Sequence, residues 1–310
     1  MRIGIFDSGL GGLIVTKAIK KAMPAYDYVY LGDTKRVPYG NRSHETVFEF
    51  TRQAVDYLFT KENCAIVIVA CNTASARALR QIQQEYLPKN FPDRKVIGVL
   101  IPTAEECAKH NKVGIIGTNG TVASGTFVHE IEKLNLKAKQ DLLLFHGSHS
   151  NLNMVYQRST AYATKSTNPV LLTKVFQNPA PMLVPLAEEG EKVRAVPFLK
   201  EYLKPFMNKK FDAVALGCTH YPFFKTEIRK ILDKNINVIS QDEIVPKKLK
   251  EYFTKHPEIE KKLTKFTKQT PNQSKARYGA RILVTDITPN VIKLTTKWFG
   301  KDTKPELINL

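Results

Sequence analysis

The stretch Ile66-Val67-Ile68-Val69-Ala70-Cys71-Asn72-Thr73-Ala74 constrains this chain more than any other. Small and β-branched apolar residues run unbroken into a cysteine, and two residues with short hydrogen-bonding side chains follow. An apolar run of this kind predicts a strand buried on both faces, as in a parallel sheet. Asn72 and Thr73 then turn the chain into a helical stretch from Ala74 to Tyr86. The thiol is thereby placed at the carboxyl end of a strand and beside a helix amino terminus. Open α/β sheets bind ligands at that edge, and a helix dipole there favours anions and thiolates. The competing reading is a buried packing cysteine, a common fate for this residue.

A second copy shifts the balance. Phe211-Asp212-Ala213-Val214-Ala215-Leu216-Gly217-Cys218-Thr219-His220-Tyr221-Pro222 repeats the grammar of apolar run, cysteine and polar pair, and a helix-like stretch, Phe223 to Leu232, follows. Each copy has an upstream partner: Ile3-Gly4-Ile5-Phe6-Asp7-Ser8-Gly9 resembles Val113-Gly114-Ile115-Ile116-Gly117-Thr118. The interval between partners is longer in the second half, and most of the excess falls on residues 147–180. A duplication that presents one thiol per half is hard to explain by packing. The alternation of short strands and helices in each half predicts an α/β protein of two pseudo-symmetric domains. Each domain would be a mostly parallel sheet flanked by helices, with the active site in the interdomain cleft. The expected division is residues 1–98 plus 244–310 for the first domain and 99–243 for the second.

At 310 residues two domains of ordinary size are expected. The hydrophobic fraction of 43% and charged fraction of 25% suit a globular protein rather than a fibrous or disordered one. No apolar run approaches the ~20 residues that span a bilayer, and Met1-Arg2 leads directly into a strand rather than a signal peptide. Four cysteines without close pairing suggest a reduced, cytoplasmic protein. Cys64 and Cys107 are read as packing residues. The formal net charge of +18 raises the question of nucleic acid. The basic segment from Lys247 to Lys268, however, holds Glu251, Glu258 and Glu260 at helical spacings, which suits a solvated helix face. No specific nucleic-acid partner is expected. Positive potential that steers an acidic substrate to a cleft is the milder functional reading.

In chain order, the first strand ends at Asp7-Ser8-Gly9-Leu10-Gly11-Gly12, where the glycines permit a tight turn. The GxGxxG spacing of dinucleotide sites is not matched. The expectation is a small anion held by backbone N–H groups at the start of helix 13–22, with Asp7 free to meet a substrate ammonium or manage protons beside Cys71. A strand at 28–31 ends in Gly32-Asp33-Thr34, and Val37-Pro38-Tyr39-Gly40 delivers a tyrosine and a glycine N–H to the same edge. Residues 147–180 are polar and poorly periodic and are expected on the surface or at a subunit contact. His146 and His149 within them have no acid or cysteine nearby to complete a metal site. A core strand is expected to resume at Met182–Leu186. Glu188 follows it, placed either to orient His220 or as a helix first-turn acid.

The collinear motifs resemble the glutamate racemases, the cofactor-independent enzymes of bacterial cell-wall precursor supply. The resemblance lies in Gly4 to Leu13, Gly32-Asp33-Thr34, Val37-Pro38-Tyr39-Gly40, Ala70 to Ala74 and Gly217 to Pro222. Gly117-Thr118, Gly120-Thr121, Val184 to Gly190, Thr285-Asp286 and Trp298-Phe299-Gly300 also fit. It implies catalytic Cys71 and Cys218, with Asp7, His220 and Glu188 in support. It further implies substrate contacts from Asp7, Ser8, Tyr39, Gly40, Asn72, Thr73, Thr121, Thr219 and His220. Ile14 and Pro181 depart from the family pattern, which usually has a hydroxyl residue and often a cysteine there, and the 147–180 insertion is unfamiliar.

Two thiols suit the chemistry that the resemblance implies. Inverting a stereocentre removes an α-proton from one face and returns one to the other, so two bases need only alternate roles. Without an electron-sink cofactor, neutral donors such as Ser8, Asn72, Thr73 and Thr219 would have to stabilise an enediolate-like α-carboxylate. No cofactor or metal signature accompanies them. The implied substrate is glutamate, no membrane partner is expected, and a homodimer is left open. The alternatives are a sibling two-cysteine racemase acting on aspartate, a nucleic-acid-binding protein that survives loss of both thiols, and a cysteine hydrolase. The hydrolase needs only one thiol with a histidine and leaves the duplication unexplained.

Overall fold

The computed structural model describes residues 1–148, 172–207, 210–265, 280–301 and 303–310. Among these residues ten strands form two parallel sheets. β1 (Arg2–Asp7), β2 (Tyr28–Gly32), β3 (Cys64–Val69) and β4 (Lys95–Gly98) belong to the first; β5 (Lys112–Gly117), β6 (Lys174–Pro179), β7 (Ala213–Gly217) and β8 (Asn237–Ile239) form the second. The chain then returns to the first sheet with β9 (Arg281–Val284) and β10 (Pro305–Leu307). The orders are β10-β9-β2-β1-β3-β4 and β6-β5-β7-β8. Each neighbouring pair is parallel. The block β2-β1-β3-β4 is therefore repeated as β6-β5-β7-β8, and the duplication read in the sequence is a duplication of fold.

β3 and β7 lie inside their sheets and are buried along their whole length, which is why they read as unbroken apolar runs. Helices carry the chain back between strands. Helix Gly12–Ala22 buries Leu13, Val15, Thr16 and Ile19 at helical spacing, and helix Gln241–Lys255 packs against it. That second helix buries Val245, Leu249 and Phe253, while Lys248 on its outer side pairs with Glu105 at 2.7 Å. The basic segment is thus in part a solvated helix face. No helix among the described residues is long and apolar enough to cross a membrane.

Two expectations need correction. Residues 147–180 are not insertion throughout. Helix Thr126–Ser148 runs into their start, residues 149–171, His149 among them, lie outside the described residues, and Lys174–Pro179 is β6, in register with β5 from Lys112 to Gly117. β6 is an edge strand, so Lys174 and Phe176 are exposed and the apolar signal of a buried strand is missing. Met182–Leu186, expected as a strand, lies almost wholly in helix Leu183–Glu189, whose buried residues Leu183 and Ala187 stand four apart. Gly190, with φ of +80°, ends that helix in the left-handed conformation.

The core of the second sheet is tight around Phe206, which is 1% exposed and meets Phe211 edge-on with ring centroids 5.1 Å apart. A Cβ at Gly114 of β5 would come within 2.7 Å of the Phe206 ring. Phe206→Ala is expected to destabilise the fold by about 3–5 kcal/mol in urea unfolding. Phe198→Ala, on the same helix Lys192–Met207 but 38% exposed, should cost about 1 kcal/mol or less.

Candidate active site

β3 ends at Val69, and Cys71 follows as the N-cap of helix Asn72–Arg77. The helix starts two residues earlier than its apolar pattern suggests, because the thiol itself performs the capping. Cys71 Sγ accepts from Ala74 N–H at 3.4 Å and donates to Ser8 Oγ at 3.3 Å. Burial, reinforced by the charge of Asp7, pushes the thiol up to about 12, while the Ser8 and Ala74 hydrogen bonds pull the other way. Cys71 is therefore a protonated thiol at neutral pH.

Cys218 follows β7 at the equivalent place, with a different neighbour. Its Sγ lies 3.8 Å from His220 Nδ1, and His220 Nε2 lies 3.0 Å from Glu188 Oε1. Burial alone would lower the histidine. Hydrogen bonds to Cys218 and Glu188 overcome it and raise His220 to about 10, so an imidazolium stands beside Cys218. Of the two readings of Glu188, the carboxylate that orients His220 agrees with this geometry. Trp298 packs against the histidine with ring centroids 5.8 Å apart and nearly perpendicular planes.

The turn after β1 departs from the expected anion site. The carboxylate that occupies it is the protein's own: Asp7 Oδ2 accepts from Gly9 N–H at 3.2 Å and Gly12 N–H at 3.1 Å. Asp7 has no solvent exposure, and its Oδ1 accepts from Thr219 Oγ1 at 3.3 Å. Burial raises its pKa against the opposing effects of His220 and these donors. Gly11 is required here by close approach, since a Cβ would lie 2.5 Å from Thr219 Oγ1 and 2.6 Å from His220 Nδ1.

Both thiols, each 5% exposed, line one cavity of about 410 Å³, together with Ser8, Tyr39, Gly40, Asn72, Thr73, Glu188, Thr219 and His220. Four expected contacts are less direct than anticipated: Asp7, fully buried, is not among the residues lining the cavity. Tyr39 points its hydroxyl away to Asp33 Oδ2 at 2.5 Å. Asn72 commits both ends of its amide to Gln241, at 2.9 and 2.7 Å. Thr121 is fully buried and is not among the residues lining the cavity. Thr118, not among the expected contacts, lines it instead, and bonds Thr73 Oγ1 and Thr121 Oγ1 at 3.0 Å each. Its signal was available: it follows β5 as Ser8 follows β1. Pro181 also lies in the wall, with Met182, Val184 and Pro185, so this departure from the family pattern touches the site. None of the described lining residues is lysine or arginine, which leaves His220 as the cationic group.

Two like-folded α/β halves, each offering a thiol to one cavity, define an enzyme of the amino-acid racemase class. Comparison with known proteins sharpens this. The chain is 36% identical over 309 residues to the glutamate racemase of Aquifex pyrophilus, covering 97% of this chain and 95% of that one. Among solved structures, a glutamate racemase isoform of Bacillus anthracis superposes with a TM-score of 0.76 at 25% identity, covering 100% of this chain and 97% of its own. The Francisella tularensis glutamate racemase in complex with D-glutamate gives a TM-score of 0.74 at 27% identity, covering 99% and 97%. No protein-family model matches the chain. The chain belongs to the glutamate racemase family.

Burial opposes the proton on His220, and hydrogen bonds to Cys218 and then Glu188 hold it there. Glu188→Gln should lower the imidazole pKa from about 10 toward its ordinary value of 6.5, read by NMR titration of the ring nitrogens. A histidine raised in the folded state contributes stability that is complete below the unfolded pKa and lost as pH rises through the folded one. The stability gap between native protein and variant should therefore be widest below about pH 6.5 and close towards pH 10.

Proposed function

We propose that this protein interconverts L- and D-glutamate without a cofactor, Cys71 and Cys218 alternating as base and acid. The observation that carries the reading is the unlike setting of two thiols in one cavity: Cys71 held protonated by burial, Cys218 beside the His220 imidazolium. With L-glutamate, Cys218 takes the α-proton. The Cα–H bond breaks, an S–H bond forms, and the electron pair moves into the α-carboxylate as an enediolate. Cys71 then gives its proton to the other face and is left as a thiolate, and exchange with solvent resets both sulfurs. D-glutamate runs the steps in reverse.

Ser8 and Thr73 supply neutral hydroxyl donors for the substrate's carboxylates, Asn72 contributes from the first turn of its helix, and Thr219, whose hydroxyl is given to Asp7, meets the substrate through its backbone. Tyr39, its hydroxyl held by Asp33, shapes the wall, Gly40 beside it offers its backbone N–H to the cavity, and Thr121 acts behind Thr118. Asp7 is coupled electrostatically to His220 and Cys71; fully buried behind Thr219, it acts on the substrate through these groups. The working unit is a first domain of residues 1–98 plus 244–310 and a second of 99–243, supported by the strand order. The product would supply D-glutamate for peptidoglycan precursors in the cytoplasm, a compartment that four free cysteines favour. Glutamate is preferred over aspartate because the relatives covering nearly the whole chain are glutamate racemases.

The test is a polarimetric assay of dialysed, chelator-treated protein with L- and D-glutamate and with both aspartates. Native protein should racemise glutamate in both directions without added cofactor. Cys71→Ser and Cys218→Ser should each lose activity by about 10²–10⁴-fold, since an alcohol is far too weak an acid to replace a thiol at either step. Faster turnover of aspartate, a requirement for pyridoxal phosphate, or near-native rates in either variant would overturn the reading.

A further inference from the structure

The chain crosses between the two sheets at two places. β4 leads into helix Leu100–Cys107, and β8 leads back through Ser240 into helix Gln241–Lys255. A buried amide network joins the crossings to the site. Gln241 is 0% exposed, Thr103 0% and Asn72 2%. Gln241 Oε1 accepts from Asn72 Nδ2 at 2.9 Å, and Gln241 Nε2 donates to Asn72 Oδ1 at 2.7 Å and to Thr103 Oγ1 at 3.3 Å. Thr103 in turn donates to Val99 O at 2.7 Å.

An amide taken this far from water costs stability unless each polar atom is paired, and an apolar side chain would fill the same space without that demand. Gln241 meets it by gripping one residue at both ends. That residue directly follows Cys71 and opens the helix whose third residue, Ala74, bonds Cys71 Sγ. Across the cavity the residue after Cys218 is Thr219, which reaches Asp7 instead.

We propose that Gln241 is a positioning residue for the Cys71 side of the site, acting through Asn72 to hold the turn that carries the thiol to the place where the chain crosses between domains. The proposal deepens the two-thiol reading by naming what fixes one of its sulfurs, and rests on that reading only in treating Cys71 as a working group.

The test uses iodoacetamide labelling of the full-length protein without substrate, with Cys71 and Cys218 quantified separately by peptide mass spectrometry. The two thiols are equally buried at 5% exposure, so their ratio reports on local loosening. Gln241→Leu should raise the Cys71 to Cys218 labelling ratio by about threefold or more. In an Asn72→Ala background the same change should add nothing, because the partner through which Gln241 acts is gone. Glutamate kcat/KM should follow, falling about tenfold in the native background and less than about twofold in Asn72→Ala.

If Gln241→Leu does not fold, Gln241→Glu replaces it. Its carboxylate keeps the acceptor for Asn72 Nδ2 and loses the donor to Asn72 Oδ1 and Thr103. The labelling ratio should still rise, and should fall back as the pH is lowered and the buried carboxyl regains a proton to donate. An unchanged ratio, equal gains at both thiols, or the same rise in the Asn72→Ala background would overturn the proposal. Native protein that does not racemise glutamate would count against the two-thiol chemistry, while the labelling would still decide the role of Gln241.

Discussion

A carboxylate with no exposure to solvent lies at the base of the site, and the rest of the cavity is arranged about it. Burying a charge is costly unless it is paired and hydrogen-bonded. Asp7 obtains its bonds from Gly9 and Gly12 of its own turn and from Thr219 of the other sheet. Satisfying the group thus folds the turn after β1 and ties the two halves together in one step. Its charge adds to burial in raising the Cys71 thiol and stands opposite the His220 imidazolium. The glycines of the turn follow from this: a side chain at Gly11 would strike Thr219 and His220.

The duplicated fold brings the thiols together, and the exchanges between halves make them different. In each half a hydroxyl residue just after the cysteine reaches the turn at the end of the other half's first strand. Thr219 reaches Asp7 at the end of β1, and Thr73 reaches Thr118 just after β5. On that symmetric frame Cys71 receives a neutral hydroxyl and a helix N–H, whereas Cys218 receives a histidine held by Glu188. A two-base racemase needs one proton donor and one acceptor present together, and unlike surroundings meet that need better than identical ones.

What the sequence reveals here depends on runs and spacing. β3 and β7 are buried on both faces and so are legible as apolar runs ending in cysteine, and their partners β1 and β5 follow by repetition. β6 is covered on one side by β5 and exposed on the other, so its Lys174-Val175-Phe176-Gln177 carries no such signal and merges with the polar stretch before it. Met182–Leu186 is apolar enough for a strand, and only the tertiary burial of Leu183 and Ala187 decides for helix. At the site, residue types were readable but directions were not. Asp7 and Asn72 sit where expected, yet one fills the anion position itself and the other turns its amide to Gln241. Gln241 lies far along the chain from Asn72 with no motif around it, and only the fold brings the two together.

The central claim is that two thiols on different sheets handle different protons, and solvent deuterium tests it most directly. L-glutamate carrying ordinary hydrogen is converted in heavy water, and both enantiomers are recovered after the first few per cent of reaction. On the proposed mechanism Cys218 removes the original hydrogen, and Cys71, already exchanged with solvent, supplies the new one. Early D-glutamate should therefore be deuterated at the α-carbon, while recovered L-glutamate should carry almost none. Label appearing equally in both enantiomers from the first turnovers, or original hydrogen retained in the D-product, would contradict the account by placing both transfers on one group.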